Sequence, residues 1–224
     1  MIEVRHLTIG YGTSPLVKDI SFEIGRGECV LLSGANGTGK STLMRTLSGI
    51  LPPLKGSIGP FRAVLIPTGI PKVRGFTMAE FIRTGCYAET DWKGAFPPER
   101  ERKMQEAADL LGIGNLLGRD ISSLSDGEFQ LACVATGMTR QCDWLLLDEP
   151  TAFLDVDNRV MVLQALKRIA SETPVLFSSH DILDAVPIAD RIFAITPERT
   201  FLSSESDSSS KDAVLRQAFR SFNR

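Results

Sequence analysis

The stretch LLSGANGTGKST, residues 31–42, restricts what this chain can fold into more than any other. An apolar run, ECVLLSG, leads into it and the helical pattern KSTLMRTLSGIL leads out, stopped by Pro52, Pro53 and Gly56. Between them Gly34, Gly39, Lys40 and Ser41 follow the spacing of a phosphate-binding loop in the strand–loop–helix context that it requires. Glycines let the backbone curl until successive N–H groups face inward as a nest for phosphate oxygens, and the helix N-terminus adds unpaired donors and its dipole. Lys40 is placed to neutralise the β- and γ-phosphates and the Ser41 hydroxyl to ligate magnesium, with Asn36, Gly37 and Thr42 completing the nucleotide-binding set. A chance match in a chain of this length is on the order of 1%. The stretch reads as a nucleotide site.

A second stretch, CDWLLLDEPT at 142–151, ends a buried apolar run on two adjacent carboxylates. Each is costly to desolvate without a partner, and consecutive strand residues point to opposite faces, so the two acids cannot easily share a task. In proteins with a phosphate loop, a second strand ends in an acid that holds magnesium. Asp148 fits that position, at the carboxyl end of a strand, where open α/β sheets bind ligands. Glu149 then points towards an attacking water; the alternative is that it merely caps the turn at Pro150.

The remaining pattern sets an architecture. Ile2–Ile9 and Val17–Ile24 alternate as half-buried strands joined by YGTSP, and RAVLIP is a further strand. From Thr77 to Met138 the pattern is helical, in TMAEFIRTGCYA and PERERKMQEAADLLGI. After it come the strand DWLLLD, the helix NRVMVLQALKRIAS, the strand PVLFSS, the short helix DILDAV and the strand RIFAIT. Buried strands alternating with helices imply a mostly parallel sheet, with the helical stretch an insertion. SSESDSSSKD reads as a flexible linker before a last short helix, or as a regulatory segment. The longest apolar runs are too short to span a bilayer, and IEVRHLTI directly after Met1 is no signal peptide. A net charge of −2 gives no electrostatic footprint for nucleic acid. Cys29, Cys86, Cys133 and Cys142 lie singly, as core cysteines of a reducing compartment rather than metal ligands.

SLSDGEFQ is by itself a capping box, Ser125 and Glu128 opening a helix. Shortly before LLLDEPTAFLD, and with SSHD to follow, it resembles the signature sequence of ATP-binding cassette (ABC) ATPases. The resemblance runs from Ile2 to about Thr196. It implies an α/β fold: a P-loop NTPase (RecA-like) core with an antiparallel β subdomain and an inserted α-helical subdomain. Residues 1–202 would form the ATPase domain (core 1–76 and 139–202, helical subdomain about 77–138), with residues 203–224 a linker and short helix. By the same resemblance Ser125 and Gly127 contact the γ-phosphate of ATP held by a second copy, and Asp155 lies in the loop coupling the two sites. Tyr11 stacks on adenine, unless it is only a strand-end tyrosine. His180 orients the attacking water with Glu149, unless it only packs. The helical stretch narrows the likeness to ATPases that drive import of iron-siderophore, haem and cobalamin complexes.

The resemblance implies ATP and Mg2+ as cofactors and hydrolysis with Glu149, His180 and Lys40 as catalytic residues. It implies a homodimer sandwiching two ATP molecules, a separate permease, a substrate-binding protein and no nucleic acid partner. The chain would sit in the cytoplasm, peripheral on the cytoplasmic face of the inner membrane. One departure stands out. Thr68 occupies the place of a glutamine that touches magnesium and water, and would act there through water. The signature helix also carries Leu131 and Thr136 where arginines are usual. These losses leave open a cassette that binds ATP and hydrolyses it poorly, and a soluble ABC ATPase of DNA repair or translation is the rival from another class.

Overall fold

The computed structural model describes residues 1–85 and 98–219. It divides into two compact units, one formed by Met1–Leu65, Cys142–Glu149 and Leu166–Arg224, the other by Ile66–Gln141 and Pro150–Ala165.

In the first unit the alternating N-terminal segments form β1 (Ile2–Tyr11) and β2 (Ser14–Ile24), paired antiparallel. The connection is shorter than YGTSP suggested, since pairing continues out to Tyr11 and Ser14. A short strand, β4 (Lys55–Ile58), lies on the other side of β1, giving the order β2-β1-β4. KGSI has one apolar residue and a glycine at φ 85°, so nothing in its pattern announces a strand; pairing with β1 makes it one.

The second sheet has the order β5-β6-β7-β3-β8-β9, comprising β3 (Cys29–Ser33), β5 (Ala63–Ile66), β6 (Trp144–Leu147), β7 (Val175–Ser178), β8 (Arg191–Ile195) and β9 (Phe201–Ser203). Every residue of β3, β6 and β7 is buried, which is why they read as unbroken apolar runs rather than alternating ones. β6, β7, β3 and β8 run parallel, so their carboxyl ends share one edge. That edge is where residues following each strand converge. Inside, Phe22 packs on Phe193 with ring centroids 4.7 Å apart, and Phe201 closes the cluster at 5.7 Å from Phe22.

Two expectations near the C-terminus are corrected. RIFAIT is followed by β9, antiparallel to β8, where no strand was anticipated. The last short helix is present but starts inside the serine-rich stretch: Asp207 accepts a bond from the Ser210 N–H and opens α7, Ser208–Ala218, whose Val214, Leu215 and Ala218 are buried. A polar composition hid a capped helix held by three apolar residues and by Lys211, which donates to the Ala189 carbonyl.

The second unit is helical, as the periodicity predicts: α2 (Met78–Arg83), α3 (Pro98–Leu110), α4 (Asp126–Thr139) and most of α5 (Val156–Ala170). Residues 86–97, the end of TMAEFIRTGCYA among them, lie outside the described residues. α4 is buried on nearly every side, and Phe129 on it packs against Phe81 of α2 at 5.1 Å. DILDAV forms a single turn, α6 (Ile182–Ala185). Among the described residues no helix is long and apolar enough to cross a membrane.

Candidate functional site

The phosphate loop leaves β3 in the middle of the parallel sheet and enters α1 (Lys40–Leu47). Gly34, Gly37 and Gly39 take φ of 143°, 77° and 118°, conformations that side-chain-bearing residues rarely adopt. A methyl at Gly34 would lie 2.5 Å from the Ile195 carbonyl oxygen, so neither the turn nor its neighbour admits a side chain there. Gly39 caps α1 without a side chain, and the first turn holds no acid. The helix therefore presents its N–H groups and positive dipole end uncompensated, a pattern that suits an anion. Lys40 is buried and folds back, its Nζ donating to the carbonyls of Gly34 at 2.8 Å and Ala35 at 3.2 Å. Burial lowers its pKa, opposed by the charges of Glu149 and Asp148. Tyr11, at the end of β1, leaves 53% of its surface exposed and bonds through its hydroxyl to Thr42 Oγ1 at 3.1 Å. A flat ring is thus left beside the loop.

The two acids follow β6 at the same edge, and their surroundings differ. Asp148 Oδ1 accepts a hydrogen bond from the Ser178 hydroxyl at 2.7 Å. Glu149 stands at φ 54°, and its carboxylate lies 2.9 Å from His180 Nε2. Burial pushes the Glu149 carboxyl above its ordinary range, with His180 and Lys40 pulling it back and Asp148 pushing further up. A carboxylate tuned upwards and paired with a half-exposed imidazole has the chemistry of a base that takes a proton from water. Ser41 and Asp148 offer hard oxygen donors. Among the described residues no group of three or more His, Cys, Asp or Glu is placed to hold a metal.

In the second unit, Ser125 and Glu128 form the complete capping box of α4: Ser125 Oγ accepts from the Glu128 N–H at 3.1 Å and Glu128 Oε2 from the Ser125 N–H at 2.7 Å. Bonds from the Ser125 N–H and hydroxyl together hold the Glu128 carboxyl below its ordinary range. Lys72 donates to Asp126 Oδ1 and to the Leu124 carbonyl, both at 2.7 Å, offsetting the acid at this helix start. A methyl at Gly127 would meet the Phe153 carbonyl oxygen at 3.2 Å, a tight contact that Phe153 would have to ease by a few tenths of an ångström. Ser125, Gly127 and Asp155 line one open groove of about 480 Å³ together with Phe153 and Leu154. Asp155 also caps α5, its Oδ1 accepting from the Asn158 N–H at 2.9 Å, which starts that helix two residues before the predicted Asn158.

Gly34, Gly37, Gly39, Lys40, Tyr11, Thr42, Asp148, Glu149 and His180 thus gather in the first unit, and Ser125, Gly127 and Asp155 in the second. Ser41 is exposed on the first turn of α1 and Asn36 on the loop, while Thr68 follows β5 half-buried in the second unit. Two residues went unnoticed in the sequence. Ser178 touches both acids, its Oγ also accepting the Glu149 N–H at 2.9 Å, and the doubled serine before His180 was its one signal. Phe153 stands at φ 66° with 66% of its surface exposed, an apolar residue left open in a strained turn. Cys29 and Cys133 are buried, as their apolar neighbours implied.

Comparison with known proteins converges on one group. Residues 17–152 match the family model described as ABC transporter. The chain is 28% identical to the petrobactin import ATP-binding protein FpuD of Bacillus anthracis, over 98% of its own length and 86% of that protein's. To the achromobactin transport ATP-binding protein CbrD of Dickeya dadantii it is 26% identical, over 97% and 87%. Among solved structures it is similar, with a TM-score of 0.84 and 26% identity over 98% of this chain and 88% of the other, to a transporter assigned to the metal-chelate type in an inward-facing conformation.

Proposed function

Because this chain belongs to the ABC transporter family, as an ATP-binding and ATP-hydrolysing subunit, we propose that it powers import of a metal-chelate cargo through a separate permease. Two copies pair head to tail, each phosphate loop facing the other copy's α4. Ser125 and Gly127 then meet the γ-phosphate of the ATP that the partner copy holds. Tyr11 stacks on the adenine, and Lys40 turns from the Gly34 and Ala35 carbonyls to the β- and γ-phosphates. Ser41 and Asp148 would hold magnesium, which would offset phosphate charge. Glu149 takes a proton from water that His180 helps to orient, and the water attacks the γ-phosphate in line. Asp155 links the two sites across the pair.

One observation carries this reading: Glu149, raised in pKa by burial, lies against His180 at the strand edge where the phosphate loop leaves β3. The names of the petrobactin and achromobactin relatives, and the metal-chelate type of the structural neighbour, support the cargo class. The pairing and the remaining partners, permease and substrate-binding protein, follow from the family resemblance.

Glu149→Gln should lower hydrolysis about 10²–10⁴-fold, the usual cost of losing a general base. The same variant, tagged and purified from native cells with Mg-ATP, should bring down a polytopic membrane protein identifiable by mass spectrometry. Ribosomal or DNA-repair proteins in place of a permease would assign this ATPase to a different job.

A further inference from the structure

We propose that Ser178 is a positioning residue for hydrolysis, setting both the Asp148 carboxylate and the Glu149 backbone; this rests on the roles given to those two acids above. Ser178 is the last residue of β7 and is wholly buried. β7 runs beside β6 with Phe177 opposite Leu147, so its end is level with the turn that carries both acids. A serine hydroxyl has one hydrogen to give and lone pairs to receive. Here the hydrogen goes to Asp148 Oδ1 at 2.7 Å, and a lone pair takes the Glu149 N–H at 2.9 Å. Both directions of the hydroxyl are committed, which fixes its rotor.

Two consequences follow. With Oδ1 engaged, the rotation of the Asp148 carboxylate is set, and with it the direction that Oδ2 faces. Glu149 meanwhile sits at φ 54°, a left-handed conformation that a residue with a side chain holds only when its surroundings determine it. The Ser178 bond is one such constraint on its backbone, and His180, two residues further along the same chain, meets its carboxylate at 2.9 Å. The end of β7 therefore grips Glu149 by the main chain and by the carboxylate together. Alanine would occupy this buried place without either bond, and only a hydroxyl can serve both neighbours.

The test uses the purified chain with Ser178→Ala, Ser178→Thr and Ser178→Val. Threonine and valine have nearly the same shape and differ in the hydroxyl, so the pair separates hydrogen bonding from space. We expect Ser178→Ala and Ser178→Val to lower kcat about 10- to 100-fold, the rate equivalent of losing buried hydrogen bonds. ATP affinity measured without divalent ion should stay within about twofold of the parent, since the phosphate loop is untouched, whereas the gain in affinity on adding Mg2+ should shrink about fivefold. Ser178→Thr should recover both readouts. The proposal is overturned when alanine and valine keep the parent rate and magnesium gain, or when threonine and valine lose equally while alanine does not, which would make the effect one of volume. Glu149→Gln runs alongside: its full activity would overturn the roles of the acids themselves, whereas its inactivity beside a fully active Ser178→Ala would overturn the role of Ser178 alone.

Discussion

At the scale of single residues, burial changes the chemistry of several groups whose sequence context looked ordinary. Lys40 lies in a motif that announces itself, yet its direction does not: in the structure it serves carbonyls of its own loop, from which it would have to turn to meet the proposed phosphates. Cys29 and Cys133 show burial acting alone. Desolvation of the thiolate raises the pKa of each from 9.0 to about 12; for Cys29 the nearby Lys167 opposes this and Asp190 adds to it. At pH 8 about one thiol in ten thousand would then be ionised, so both should resist iodoacetamide in the folded protein and react on unfolding. Their protonated form is favoured by the fold, so the stability each contributes is complete below pH 9 and declines as pH rises from 9 towards 12. Mass mapping of adducts at pH 8, and urea midpoints at pH 8 and pH 10, check the two halves. Rapid labelling of either cysteine, or a midpoint no lower at pH 10, would contradict them. That these cysteines are core residues was legible from their apolar neighbours; how far burial would shift them needed the packing.

At the scale of elements, local pattern was informative where one element sufficed to express it, and silent where a neighbour was needed. The buried strands β3, β6 and β7 and the capped start of α4 could be read directly, because an unbroken apolar run or a capping box is a property of a few adjacent residues. β4 and β9 could not: KGSI and FLS are strands because β1 and β8 supply hydrogen-bonding partners. The phosphate loop and both acids were legible as motifs, but the Ser178 bridge arises from strand adjacency and has no spacing to find. At the start of α4, Ser125 caps the helix and shares its hydroxyl with the Glu128 carboxylate, and the proposed function asks that hydroxyl to serve a phosphate as well. Ser125→Asp separates the two roles, because aspartate caps as well as serine but is an acceptor only. The variant should keep stability within about 0.3 kcal/mol of the parent, whereas Ser125→Ala should lose about 1 kcal/mol. ATP hydrolysis should fail in Ser125→Asp. Normal hydrolysis there would mean that the serine serves α4 and no phosphate.

At the scale of the whole molecule, the residues expected to touch one ATP fall in two compact units of the chain: Lys40, Asp148, Glu149 and His180 in one, and Ser125, Gly127 and Asp155 in the other. The head-to-tail pair proposed above would account for that division, because each nucleotide would be completed by the first unit of one copy and the second unit of the other. This has a consequence that no single-chain site shares. Lys40→Ala removes the phosphate loop's cation and Ser125→Asp removes the donor at α4, so each variant alone should be inactive. In a mixed pair, the loop of the Ser125→Asp copy faces the intact α4 of the Lys40→Ala copy, and one of the two sites is whole. Equimolar mixing yields mixed pairs about half the time, each with one good site in two, so independent sites should restore about a quarter of the parent rate. Native mass spectrometry with ATP present should show the mixed pair, using copies that differ in isotope content. Complementation would establish that one ATP is handled by two chains. Mixed pairs forming without any recovery would mean that neither site fires unless both are complete, and a chain that stays single with ATP bound would rule out the sandwich itself.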